Sequence, residues 1–222
     1  MSSTGAAIAA KREGHSVLFN LTAIAAVVAV LGLGLAYLID AAGRSAHAPA
    51  PLAGTVTQML GSTTLNIPAA WVVGELPPNG GFAKQVDLSL NLPLGPDGAM
   101  RKVAVTLTQR SRVRPSATLL DGVYLHQFLP DQKTGPVGLV GKPLKPGEGF
   151  DSETVWYDPL ASSPFVAKCQ TALSPERAGQ CLRAVYLGSG MAAIYSFPDD
   201  VLDNWKKFDA ELHPLLTEIG AL

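Results

Sequence analysis

Three kinds of hydrophobic pattern follow one another along the chain. From Val17 to Ile39 the sequence VLFNLTAIAAVVAVLGLGLAYLI carries no charged residue, and Asn20 and Thr22 are its clearly polar interruptions. A helix of about 23 residues rising about 1.5 Å per residue covers roughly 35 Å, enough to cross a hydrocarbon core of about 30 Å with some tilt. The second pattern has period two. Val86, Leu88, Leu90 and Leu92 alternate with Asp87, Ser89 and Asn91, and after the turn-rich segment Pro93 to Gly98 the residues Val103, Val105 and Leu107 alternate with Ala104, Thr106 and Thr108. Each run is that of a strand buried on one face, and the short Gly/Pro/Asp connection predicts an antiparallel hairpin. The third pattern has helical period. Val201, Trp205, Phe208, Leu212, Leu215 and Ile219 recur every three or four positions after Asp199 and Asp200, either of which suits a helix start, and Pro214 predicts a bend or break.

Further strands are expected at Thr63 to Ile67, Gly122 to Leu129, Val137 to Val140, Glu153 to Tyr157 and Phe165 to Lys168, each bounded by Pro or Gly or by turn-forming residues. Leu182 to Leu187 and Met191 to Phe197 form a second hairpin around Gly188-Ser189-Gly190. The expected fold class is α+β: an N-terminal transmembrane helix, then a mostly antiparallel sheet packed against a C-terminal amphipathic helix. Four segments follow from this. Residues 1–16 are a cytoplasmic tail, 17–39 a signal-anchor helix, 40–54 an Ala/Pro-rich linker, and 55–222 an extracytoplasmic domain.

Flanking charge sets the direction. Lys11 and Arg12 precede the apolar run, and Arg44 follows it, so the positive-inside bias places the N-terminus in the cytoplasm and the C-terminal domain in the periplasm, beyond the inner membrane. The bilayer is then the first partner, through Val17 to Ile39. Ala46-His47-Ala48 also fits a signal-peptidase site, but the apolar run exceeds a usual signal core and Pro49 follows the scissile position, so the uncleaved anchor is preferred. Gly32 and Ala36 make a small-xxx-small pair, a candidate for helix self-association, although small residues are common in membrane helices and lipid-facing packing is the plainer account.

Composition adds exclusions. Seventeen Lys+Arg stand against 18 Asp+Glu, so no long-range field favours nucleic acid. Cys169 and Cys181 are the two cysteines, separated by a polar, turn-forming segment, and an oxidising compartment predicts that they pair. Their spacing differs from that of a catalytic dithiol. His126 and His213 are the domain's histidines, and neither belongs to an HxxxH or HExxH pattern, so no metal ligand set is expected. Gly188-Ser189-Gly190 lacks the flanks of a nucleophile elbow, and no phosphate-binding glycine loop is present. No catalytic residue and no cofactor is therefore assigned. Arg110, Arg112 and Arg114 alternate at a predicted strand end and are a candidate contact for an anion or an acidic partner; a solvated strand face or an edge guarded by charge gives the plainer account.

One resemblance covers the second half. The elements Gly135-Pro136-Val137-Gly138-Leu139, Tyr157-Asp158-Pro159, Cys169, Cys181-Leu182-Arg183, Tyr195-Ser196-Phe197-Pro198 and Leu202-Asp203-Asn204-Trp205 occur in this order. In this the chain resembles a family of bacterial single-pass membrane-anchored proteins with an exported domain. The resemblance implies an envelope location and a disulfide, and it transfers no catalytic residue. The function expected is a non-catalytic binding module of the cell envelope with an envelope protein as partner. The alternative is an envelope hydrolase whose polar residues converge only in three dimensions.

Overall fold

A computed structural model describes residues 54–78, 80–147, 152–171 and 178–222, together with Gly32, which is helical. The expectations for the tail, the membrane helix with Ala36, and the linker up to residue 53 lie outside the described residues. Among the described residues no helix is long and apolar enough to cross a membrane.

Pro51–Leu222 forms one unit. It begins with the antiparallel pair β1 (Thr55–Leu60) and β2 (Thr63–Pro68), to which the two-residue β3 (Phe82–Ala83) adds in parallel. The main sheet has seven strands, all antiparallel: β4 (Gln85–Leu92), β5 (Arg101–Gln109), β6 (Val140–Pro143), β7 (Glu153–Tyr157), β8 (Val166–Gln170), β9 (Gln180–Tyr186) and β10 (Met191–Pro198). Their spatial order is β4-β5-β10-β9-β8-β7-β6. The two hairpins read from alternation, β4–β5 and β9–β10, pair as expected, and Gly190 supplies the positive φ (78°) that the second turn needs.

The chain closes with a 3₁₀ turn, Asp199–Asn204, and a helix, α3 (Trp205–Glu218). Phe208, Leu212 and Leu216 on α3 are fully buried against one face of the sheet. That face carries Leu88, Val105, Tyr195 and Phe197, and Leu60, Leu65 and Ile67 of the small sheet share the same core. Pro214 lies within α3 without splitting it; the carbonyl that loses its donor is that of Ala210, an exposed residue. Asp199 and Asp200 start the 3₁₀ turn rather than capping an α-helix, and the residue before α3 is Asn204, whose side chain donates to Leu94 O and Gly95 O.

The opposite face is covered at one end, where the sequence predicted a strand over Gly122 to Leu129. Gly122 to Gln127 are helical instead: α1 (Ser116–Leu119), a π turn (Leu120–Tyr124) and α2 (Leu125–Gln127) run consecutively after Pro115, and only Phe128 pairs as a strand residue, in an isolated antiparallel bridge to Leu144. Leu120 and Tyr124, four apart, bury themselves against Val155, Val166 and Leu144. A short apolar run bounded by Gly and Pro has no decisive period, and the exposed sheet face at β7 and β8 chose the helix. The strand expected at Val137 to Val140 likewise begins only at Val140, and β1 was not foreseen because its buried Gln58 interrupts the apolar count.

Gly141 sits directly opposite Trp156 in the β6–β7 pairing, and a Cβ at Gly141 or at Gly135 would enter the indole ring. Gly141→Ala should therefore cost about 1–3 kcal/mol of stability through displacement of the ring, seen as a lower urea midpoint with a shifted tryptophan emission. An unchanged midpoint would show that Trp156 is not held there.

Candidate functional site

Register decides where the sheet is left open. Thr154, Cys169, Cys181 and Phe197 form one row across β7, β8, β9 and β10, and all four project to the face that α3 covers. Phe197 meets Phe208 of α3 with ring centroids 4.7 Å apart. At the β7 end of the row the floor is instead Thr154, Trp156 and Cys169, under a hollow of about 410 Å³. One wall is the segment from Lys133 to Pro136, and the other is the 3₁₀ turn with Asp199, Asp200 and Asp203. Past Gly135, Pro136 and Asp203 the depression continues into a second hollow of about 600 Å³, bounded by Val137, Trp205, Lys206 and Lys207.

The wall at 133–138 is fixed by two tryptophans. Trp205 Nε1 donates to Val137 O at 3.1 Å, and a Cβ on Gly138 (φ 91°) would come within 3.1 Å of the Trp205 ring. Glycine suits this position because of its positive φ. Lys133 N donates to Gly141 O, tying the other end to β6. Val137 itself stands out, 88% exposed, at the rim of the second hollow.

The electrostatics are asymmetric. Asp200 pairs with Arg101 at 2.7 Å, and the hydrogen bond to Asp200 raises the Arg101 pKa, with burial opposing it. Asp199 and Asp203 are exposed and make no ion pair among the described residues. Thr154 is 3% exposed, yet among the described residues its hydroxyl has no hydrogen-bond partner, and Asp200 Oδ1 is likewise buried and unpartnered. Beneath α3, Arg183 is a charge that is fully accounted for. It lies 7% exposed, bonds Asp209 through both terminal nitrogens and stands 4.6 Å over the Phe165 ring. Burial pushes the nearby Tyr195 hydroxyl pKa up, and Arg183 opposes that shift. On the other face burial raises the pKa of Tyr124, helped by the charge of Glu153.

Cys169 and Cys181 are joined by a disulfide across β8 and β9, as expected, and Cys169 also floors the first hollow. The arginine stripe takes another form. Arg110 to Arg112 make a 3₁₀ turn after β5, so Arg110, Arg112 and Arg114 do not alternate along a strand; all three are exposed, and Arg110 stacks 4.0 Å over Tyr186. His126 and His213 are exposed on separate helices, and neither borders the two hollows.

No protein-family model matches the chain, and no curated protein matches it in sequence. One solved structure shares the fold. It is an immunity protein of the Stenotrophomonas maltophilia type IV secretion system, with a TM-score of 0.50 at 13% sequence identity, over 75% of this chain and 93% of that one. At that identity the likeness is one of fold.

The elements that carried the resemblance are gathered by the same folding. Gly135-Pro136-Val137-Gly138 and Leu202-Asp203-Asn204-Trp205 meet at the Val137–Trp205 hydrogen bond, 68 residues apart in sequence, and their Gly135, Pro136 and Asp203 border both hollows. Thr154, Trp156 and Asp199 were not singled out as site residues in the sequence. The signal available for Asp199 was its place before the helix, which reads as a cap.

Proposed function

We propose that the domain is a non-catalytic protein-binding module of the cell envelope, held by a membrane helix at residues 17–39 and displayed on the periplasmic side. The observation that carries the binding role is the hollow at the β7 end of the sheet, where the exposed carboxylates of Asp199 and Asp203 border a depression that α3 leaves open. The same fold serving as an immunity protein in a secretion system is in keeping with a binding role. The uncharged run from Val17 to Ile39 supports the anchor, and the Cys169–Cys181 disulfide supports an oxidising compartment. The order of the motif elements supports membership of the anchored family that the chain resembles.

In-cell photocrosslinking tests the role on the full chain. A benzoyl-phenylalanine is placed at Val137, and separately at Phe82 and Leu160, which are 72% and 93% exposed and outside the two hollows. Irradiation should yield a discrete adduct with one envelope protein from at least one of these positions. Intrachain products alone, from all three, would remove the binding-module reading.

A further inference from the structure

We propose that the outward face of β9 and β10, opposite α3, is a second docking surface, separate from the two hollows, and that its occupant is an acidic surface of a protein partner.

An antiparallel sheet packed on one side commonly turns polar side chains to water on the other. Here the middle of that second face carries no charge. Leu182, Ala184 and Tyr186 of β9 lie beside Ser196, Ile194 and Ala192 of β10, and Ala104 and Thr106 of β5 continue the surface. Leu182 is 46% exposed and Tyr186 38%. The helical segment from α1 to α2 packs on β7 and β8, and it reaches β9 at Ala184, whose N–H donates to Ser116 Oγ at 2.9 Å. The face beyond Ala184 is left open.

Charge collects at its border, in the segment that leads into α1. The β8–β9 pairing stops at Lys168 and Leu182, and residues 110–116 run along the edge of β9 that β8 no longer occupies. Tyr186 fixes them: its ring carries the Arg110 guanidinium at 4.0 Å, and its hydroxyl donates to Val113 O at 3.0 Å. Arg112 and Arg114, both exposed, flank that held carbonyl, and Lys102 is exposed on the same face of β5 as Ala104. Among the described residues none of these four cations has an ion pair. Asp87 is the acidic side chain that β4, β5, β9 and β10 turn to this face, and its oxygens already accept from Thr106 Oγ1 at 2.5 Å and Gln85 Nε2 at 2.9 Å. Lys168 and Glu153, farther along on β8 and β7, pair with each other.

Protection of the β9 edge does not require the arginines, because residues 113–116 themselves already lie along it. An uncharged centre with Tyr and Leu, bordered by arginines, has instead the make-up of a protein interface. Guanidiniums held in place lose little freedom on meeting carboxylates, which they bind through paired donors. The occupant therefore carries Asp or Glu opposite the arginine segment and an apolar side chain opposite Leu182. A slot of about 310 Å³ between α1 and β9, bordered by Pro115, Ser116, Ala184 and Tyr186, leaves room for one of its side chains.

The test is in-cell photocrosslinking on the full chain, with benzoyl-phenylalanine at Leu182 and the crosslinked segment read by mass spectrometry. Leu182 should give an adduct to a protein segment of net negative charge. Arg112→Glu/Arg114→Glu should lower its yield about tenfold, through loss of two exposed ion pairs and the repulsion that replaces them. Arg112→Gln/Arg114→Gln, which removes the charge without reversing it, should lower the yield about threefold, and Arg112→Lys/Arg114→Lys should leave it unchanged. No protein adduct, an adduct to lipid or to a second copy of this chain, or a neutral or basic partner segment overturns the proposal. So does a yield that neither the Glu nor the Gln variant lowers. Adducts from Val137, Phe82 or Leu160 with none from Leu182 leave the binding module standing and remove this surface. An arginine-dependent adduct from Leu182 alone upholds this surface without the hollow.

Discussion

Phe208→Ala should lower the unfolding free energy by about 3–5 kcal/mol, the range for removing a buried aromatic ring. Phe208 is fully buried on α3, and its ring meets Phe197, Tyr195 and Phe165 with centroids 4.7, 5.4 and 5.9 Å away. Truncation leaves a cavity that these neighbours can close only partly, because Tyr195 and Phe197 are held on β10 in the middle of a seven-stranded sheet. It also removes an aromatic neighbour from Arg183, whose guanidinium lies 5.5 Å from that ring. Urea unfolding followed by far-ultraviolet circular dichroism measures the effect. A loss below about 1 kcal/mol would show that α3 contributes far less to the core than its burial indicates.

Replacing both half-cystines, Cys169→Ala/Cys181→Ala, should cost roughly 3 kcal/mol, the chain-entropy value for a loop closed over a sequence separation of 12. The bond joins residues directly opposite each other on β8 and β9, in the row that runs from Thr154 to Phe197, so it also holds the floor of the first hollow in register. Reduction of the native protein should lower the urea midpoint by a similar amount, and the double variant should not respond to reductant. If the native protein is equally stable reduced and oxidised, the disulfide has no part in holding this end of the sheet.

Much of the domain is legible from residue pattern because burial is one-sided. β4 and β5 leave Asp87, Ser89 and Asn91, or Ala104 and Thr106, half-buried or exposed on one face and bury Leu and Val on the other, so the alternation survives in the sequence. The Gly188–Gly190 turn and the apolar stripe of α3 are equally local signals. Legibility fails where a residue is buried for reasons its type does not announce. Gln58 is fully buried in β1 and bonds Pro77 O, which hides that strand from an apolar count. Val123, Leu125 and Phe128 suited a strand as well as a helix. Arg110, Arg112 and Arg114 alternate in sequence, but β5 ends at Gln109, where its partner β10 begins at Met191, and beyond that pairing the backbone turns.

The amino-acid sequence by itself determined the elements whose periodicity is complete within one segment: the two hairpins, the C-terminal helix, the cysteine pair and the uncharged run near the N-terminus. Tertiary structure alone decided the site. Thr154 is an ordinary strand threonine until register sets it beside Cys169 and beyond the reach of α3, and Asp199 and Asp203 are ordinary helix-start residues until the 133–138 segment closes the opposite wall. The physical reason is that burial without a partner is a property of how distant segments meet, held here by Trp156 against Gly135 and Gly141 and by Trp205 against Val137 and Gly138, and no local pattern encodes it.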